Sequence, residues 1–199
     1  MARKFLVLVL VALVVLPATA FAATVKVRVE GQSRTLWGPT ELTVTATTAL
    51  DALEQASIAG EFYYHVTQSS FGPYVDQVGR YGASSDSGWV FKVNDASPPV
   101  GADKVTLKDN DRVLWYYATF GATGGPPTLV VKPAAKAGCY TAFAFDDNGH
   151  ASSVGVVVFH IGSKRAINAN LNVAVCPGPH PGSLVRATAT GAVRSNAVK

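Results

Sequence analysis

The side chains best equipped for chemistry in this chain are aromatic. Trp37, Tyr63, Tyr64, Phe71, Tyr74, Tyr81, Trp89, Phe91 and the run Trp115 to Tyr117 all precede residue 120. A ring with a polar handle suits recognition of sugars, corrinoids or a partner's apolar patch. Many of these rings must be core, because burying each one contributes about 1.5–3 kcal/mol that a small domain needs. A single helix covers only one face of a sheet, so some rings are expected on the open face or its loops. Tyr64, Phe71, Tyr74, Trp89 and Tyr116 are read as the ligand-binding set. The same residues would serve a protein–protein surface.

Other chemistry is sparse. The chain has no G-x-S-x-G elbow, no phosphate-binding glycine motif and no H-E-x-x-H. His65, His150, His160 and His180 are scattered without ligand spacing. Asp146-Asp147-Asn148-Gly149 offers oxygen ligands, but it lacks the alternating spacing and distal Glu of a calcium loop and reads as a hairpin turn. Asp109-Asn110-Asp111 reads the same way. No catalytic residue, no metal site and no resident cofactor are expected, and the protein is read as a binder and not an enzyme.

Compartment follows from the N-terminus and the cysteines. Arg3 and Lys4 precede an apolar run from Phe5 to Leu16, too short for the roughly 20 residues a membrane span needs. Small residues follow Pro17, so residues 1–22 read as a secretory signal peptide cleaved after Ala22. No membrane span is expected after cleavage, and a secreted, extracytoplasmic location follows. The net charge of +4 loses the two charges of Arg3 and Lys4 and becomes +2, with no basic cluster, which argues against nucleic acid. Cys139 and Cys176 are expected to form a disulfide between two sheets, closing a loop whose constraint stabilises by roughly 4 kcal/mol.

The positioning elements come from periodicity. Residues 24–31 alternate Val25, Val27 and Val29 with charged residues, and 41–45 is a second short strand. Thr48 with Asp51 makes a capping-box-like start to a helix over 47–57, with Leu50, Leu53 and Ile58 on its apolar stripe and Gly60 as its stop. Residues 61–66 and 71–78 read as strands, and 79–87 as a mobile loop. Residues 88–94 and 112–118 are the strongest strands, with aromatic and β-branched residues alternating on both faces. After the break at Gly121 to Pro127, six short strands are expected within 128–199, and the segment ending at Lys199 is expected to pair in a sheet.

The order of segments resembles the transcobalamin-like C-terminal domain family. The resemblance rests on TTALDALEQAS (47–57), FGPYVDQV (71–78), SGWVFKVND (87–95) and VGADKVTLKDNDRVLWYY (100–117), and it covers about 25–120. It implies a β-grasp-like fold. It also implies a module that binds a soluble ligand, with cobalamin as the ligand the family suggests. In cobalamin carriers the similar domain closes over its ligand with a helical barrel, for which this chain has no sequence. Residues 182–199, GSLVRATATGAVRSNAVK, resemble the last hairpin of bacterial Ig-like modules. The expectation is therefore an α+β domain at 23–122, β-grasp-like with one helix on a mixed sheet, a linker at 123–127, and an all-β Ig-like sandwich at 128–199. The expected partners are a small-molecule ligand or an extracellular protein or polysaccharide. The alternative is a structural or adhesive cell-envelope protein with no small ligand.

Overall fold

The computed structural model describes residues 22–70, 72–122, 124–163 and 165–199. The expected signal peptide lies outside the described residues, apart from Ala22 itself. No helix among the described residues is long and apolar enough to cross a membrane.

Strand β1 (Ala23–Glu30) pairs antiparallel with β2 (Thr35–Ala46). Helix α1 (Ala49–Gly60) follows. Then come β3 (Tyr64–Ser69), β4 (Gly72–Val78), β5 (Tyr81–Gly82), β6 (Ser87–Val93) and β7 (Arg112–Thr119). One sheet has the order β2-β1-β7-β6, with β7 parallel to β1, and β3-β4-β5 form a second sheet. The rest of the chain supplies β8 (Thr128–Pro133), β9 (Tyr140–Phe145), β10 (Val157–Ile161), β11 (Arg165–Ala169), β12 (Ala174–Val175) and β13 (Val185–Ala189). They form two three-stranded sheets, β12-β9-β8 and β11-β10-β13, over one core that includes Leu129, Tyr140, Phe159 and Val185.

The α+β, β-grasp-like expectation is corrected. The described chain is mostly β, with four sheets and one 12-residue helix. The physical reason lies in residues 61–87. Their aromatic and β-branched side chains form a sheet of their own, and the expected mobile loop supplies β5. Tyr81 is buried there, its hydroxyl 2.8 Å from Ser33 Oγ and its ring tilted against Tyr117.

Helix α1 begins as its sequence dictates. Thr48 Oγ1 accepts the Asp51 N–H at 3.1 Å, and the Asp51 carboxylate accepts the Thr47 N–H at 2.6 Å. It ends later than the glycine implied, because Glu61 takes the left-handed turn at φ 50° and Gly60 stays helical. Gly60 is needed for close approach: a Cβ there would meet Trp37 Cδ1 at 2.2 Å. The buried face is Ala49, Ala52, Leu53, Ala56 and Ser57, whereas Ile58 is 65 % exposed.

The four-stranded sheet has two unlike faces. Register places Val25, Val27, Val29, Val113 and Trp115 together, and they join Leu53 and Ala56 of α1 in one apolar cluster. The opposite face carries Arg28, Glu30, Lys92 and Tyr116, all buried. The C-terminal half covers them. Arg194 Nη2 lies 2.9 Å from Glu30 Oε2, and Arg28 Nη1 donates to Glu30 Oε1 at 2.9 Å and to the Arg194 carbonyl at 2.6 Å. Thr35 Oγ1 donates to the same carboxylate at 2.9 Å.

The disulfide between Cys139 and Cys176 is present. It does not bridge the two sheets. Tyr140 faces Val175 and Thr141 faces Ala174, so the bond continues the β9–β12 ladder by one position. The chain end is held as expected, since Val198 exchanges backbone hydrogen bonds with Val185 at 2.7 and 2.9 Å.

Candidate functional site

A cleft of about 330 Å³ lies at the edge of the four-stranded sheet, where β6 has β7 on one side only. Its floor is Trp89, Val90 and Phe91 of β6 with Trp115 and Tyr116 of β7. Because successive strand residues point to opposite faces, a cleft lined by 89, 90 and 91 together wraps round the strand edge. Pro73, Tyr74 and Val75 of β4 form one wall, and Ser97, Pro98, Gly101 and Ala102 form another. Phe120 and Asp147 complete the rim. An outer groove of about 710 Å³ shares Pro73, Tyr74, Pro98 and Gly101 with the cleft and runs past Pro99 and Val100 to Lys104.

The rings are held by specific partners. Trp89 Nε1 donates to the Tyr81 carbonyl at 2.8 Å, and Trp115 Nε1 donates to the Ala49 carbonyl at 2.9 Å. Phe91 stacks on Trp115 with centroids 5.1 Å apart. Tyr74 leans across β6, so that a Cβ on Gly88 would meet its hydroxyl at 2.2 Å. Burial raises the Tyr74 phenol above its ordinary value, partly offset by a hydrogen bond from the Trp89 backbone.

Of the five residues read as binding, Tyr74, Trp89 and Tyr116 come together here. Tyr74 is 40 % exposed, but Trp89 and Tyr116 are almost wholly buried. Tyr64 does not line the cleft. It packs half-buried against the helix-side cluster, where burial, then Glu54 and Asp51, raise its phenol. Phe71 lies outside the described residues.

Asp147 is the residue that sequence reasoning missed. It sits in the turn between β9 and β10, read only as a hairpin turn. No sequence signal marked it, because its partners Tyr116 and Gly125 are distant in sequence. Asp146 Oδ1 caps the turn, accepting the N–H groups of Asn148 at 2.9 Å and His150 at 2.8 Å, and backbone hydrogen bonds close it, so the Asp147 side chain is not used within the turn. The turn is docked onto the first half by the Ser97 N–H, which donates to the Asp147 carbonyl at 2.8 Å. Asp147 Oδ1 accepts the Tyr116 hydroxyl at 3.3 Å, and Oδ2 accepts the Gly125 N–H at 3.1 Å. Burial, then the Asp147 charge, pushes the Tyr116 phenol well above its ordinary value.

Behind Asp147 lies Lys92, with no exposed side-chain surface. Its Nζ donates to Thr128 Oγ1 at 3.2 Å, the Phe145 carbonyl at 3.1 Å and the Asp146 carbonyl at 2.6 Å. Burial lowers its pKa, and the nearby carboxylate of Asp147, followed by Asp146 and Asp95, opposes that shift. Among the described residues no cluster of three His, Cys, Asp or Glu side chains is placed to hold a metal ion.

The model of a domain family of unknown function, DUF4430, matches residues 46–119. That span includes the cleft floor but not Asp147. The transcobalamin-like family itself is not the one that matches, although the family found is related to that kind. No curated protein matches the chain. A solved structure of a presumed metal-binding protein from Ruminococcus gnavus is similar at 14 % identity and a TM-score of 0.39, covering 50 % of this chain and 99 % of that one.

Proposed function

We propose that the protein is a non-catalytic, extracytoplasmic binding protein whose ligand seats a flat apolar portion in the β6-edge cleft. The observation that carries this reading is the shape of the aromatic surface. It forms a concave cleft and not the flat patch that an adhesive surface would present. Its volume is at the lower end of the range for small-ligand sites, roughly 300–1,000 Å³. A larger ligand would place one edge inside and lie along the outer groove past Tyr74 and Lys104. Cobalamin stays a proposed ligand on those terms, bound by an edge and not enclosed. Tyr116 of the floor and Asp147 of the rim bond to each other, and Asp147 also accepts a backbone N–H, an arrangement that favours recognition over proton transfer. Export is supported by the disulfide, which persists in oxidising compartments.

The test is equilibrium binding of residues 23–199 to cobalamin, corrinoid precursors and small planar aromatics, read by thermal shift. A ligand at 100 times its dissociation constant stabilises by about 2.7 kcal/mol. Tyr74→Ala should abolish the shift while the protein stays folded, because Tyr74 is exposed and outside the core. Absence of any shift across all these classes would overturn the small-ligand reading in favour of an envelope protein partner.

A further inference from the structure

Asp147 is the one charged side chain among the residues that line the cleft, and its carboxylate has accepting capacity left over. A carboxylate offers about four lone-pair sites. Here one on Oδ1 takes the Tyr116 hydroxyl and one on Oδ2 takes the Gly125 N–H. Lys92 Nζ pairs with Oδ1 at 3.6 Å, longer than its contacts to Thr128 Oγ1 and to the Phe145 and Asp146 carbonyls, so of the roughly four sites at least one is left for a ligand. The Asp147 side chain is 39 % exposed at the cleft rim, beside Phe120 and Tyr116. Its position is built, since its own carbonyl is fixed by Ser97 and Gly149 of the same turn packs on Ala96. Asp146 and Asp95 also lie within reach of Lys92, and Asp95 is itself paired with Arg112.

An aromatic cleft with an under-used carboxylate at one end matches one ligand chemistry. We infer that the cleft selects a flat aromatic molecule carrying a protonated amine, with the ring seated on β6 beneath Tyr74 and the ammonium donating to Asp147. The ring would gain from the faces of Phe91 and Tyr74, and the cation from nearby ring faces as well as from the carboxylate. A carboxylate- or phosphate-bearing molecule of the same size would be repelled by Asp147. The specificity residue thus comes from the C-terminal half, while the ring-binding surface comes from the N-terminal half. This inference rests on the cleft being the ligand site, as proposed above.

The experiment uses residues 23–199, which hold every strand, the helix and both cores, and three probes that share one ring. Tryptamine is cationic, 3-methylindole neutral and indole-3-propionate anionic, and isothermal titration gives each affinity. Tryptamine should bind about tenfold tighter than 3-methylindole, as a charge-assisted hydrogen bond to a partly exposed carboxylate allows, and indole-3-propionate should bind weakest. The tryptamine preference should shrink between about 10 mM and 1 M salt, where screening shortens to a few ångströms. Asp147→Asn should bring the ratio of the two affinities to within about twofold, as expected when only the charge is lost. Tyr116→Phe, which releases one Oδ1 lone pair, should keep or increase the preference, so the outcome does not depend on the Asp147 variant folding. Equal affinities in the wild type, or a preference that survives Asp147→Asn or is lost in Tyr116→Phe, would overturn the inference while leaving the cleft as a binding site. No binding of any of the three would overturn the inference, and the cleft reading beneath it would then be decided by the cobalamin and corrinoid titrations.

Discussion

Replacing Glu30 by glutamine should be among the most damaging single changes on the charged face of the sheet. The carboxylate is buried and receives Arg28 Nη1 at 2.9 Å, Arg194 Nε at 3.0 Å, Arg194 Nη2 at 2.9 Å and Thr35 Oγ1 at 2.9 Å. At about 3 Å and an effective dielectric constant near 20, each ion pair is worth about 5 kcal/mol before desolvation, and desolvation of the three ions cancels most of that sum. Once the carboxylate is neutral the cancellation fails, because Arg28 stays buried with no anion beside it. Its Nε already lacks a hydrogen-bond partner among the described residues. The loss should be about 3–5 kcal/mol, a large share of the stability of a fold this size, with a fall in melting temperature of about 10 °C.

Guanidinium unfolding followed by two probes is the appropriate assay. Trp37, Trp89 and Trp115 all lie in the N-terminal half, so tryptophan fluorescence reports that half alone, whereas circular dichroism reports both. The wild type should give coincident curves. Glu30→Gln removes the ion pair to Arg194 and leaves only its bonds to the Gly31 and Gln32 carbonyls and the one from Arg28, so the two curves should separate. In the Arg28→Met/Glu30→Gln double variant Arg28 is no longer stranded and only the less buried Arg194 lacks its anion, so the combined loss should fall short of the sum of the single losses by about 1 kcal/mol or more. A loss below about 1 kcal/mol for Glu30→Gln, or additive losses in the double variant, would refute the reasoning.

Further outcomes follow from other contacts. Removing the disulfide by the Cys139→Ala/Cys176→Ala pair, which are 37 residues apart, should cost about 4 kcal/mol, and reductant should lower the wild-type melting temperature but not that of the variant. Thr48→Ala should lose about 1 kcal/mol of helix capping, measured as a shifted denaturation midpoint with unchanged slope. Gly88→Ala should push the Tyr74 hydroxyl off β6, so ligand binding should fall more steeply than stability when both are measured. Lys92 titrates in the folded state below its ordinary 10.5, so the unfolded chain binds more protons in the window between the two values. Wild-type stability should therefore rise relative to Lys92→Met as pH climbs through that window towards 10.5, and a relative fall there would contradict the buried-ammonium assignment.

Much of the local structure was legible because it is set by neighbours in sequence. Alternation marked β1, β6 and β7, and Thr48 with Asp51 marked the start of α1. Two cysteines left one possible intramolecular disulfide. The failures are non-local. Nothing in 165–169 shows two-sided patterning, yet these residues pair with β10 as an exposed edge strand. Gly79 to Ser87 looked mobile because its small residues hide the anchoring role of Tyr81. The overall class was misjudged because one clear helix drew attention from strands whose pairing is set at a distance. The charged alternation of Arg28, Glu30 and Lys92 looked like a solvated face. Only the docking of Arg194 and the 145–147 turn makes it an interior one. For the same reason Tyr116 looked more available to a ligand than it is, and Asp147 did not stand out as its neighbour, whereas Trp89 on the other face is buried by the Tyr81 segment and Tyr117.

The charged character of that covered face also bears on how the chain is made. A polypeptide emerges N-terminus first, so the strands up to β7 are available well before Arg194 and the turn at Asp147. Had the waiting face been wholly apolar, the half-finished molecule would present a surface prone to sticking to its neighbours. Arg28, Glu30 and Lys92, distributed across it, instead give water charged groups to solvate until the cover docks. Docking of the turn at Asp147 and then of Arg194 converts a wetted surface into a dry, paired one.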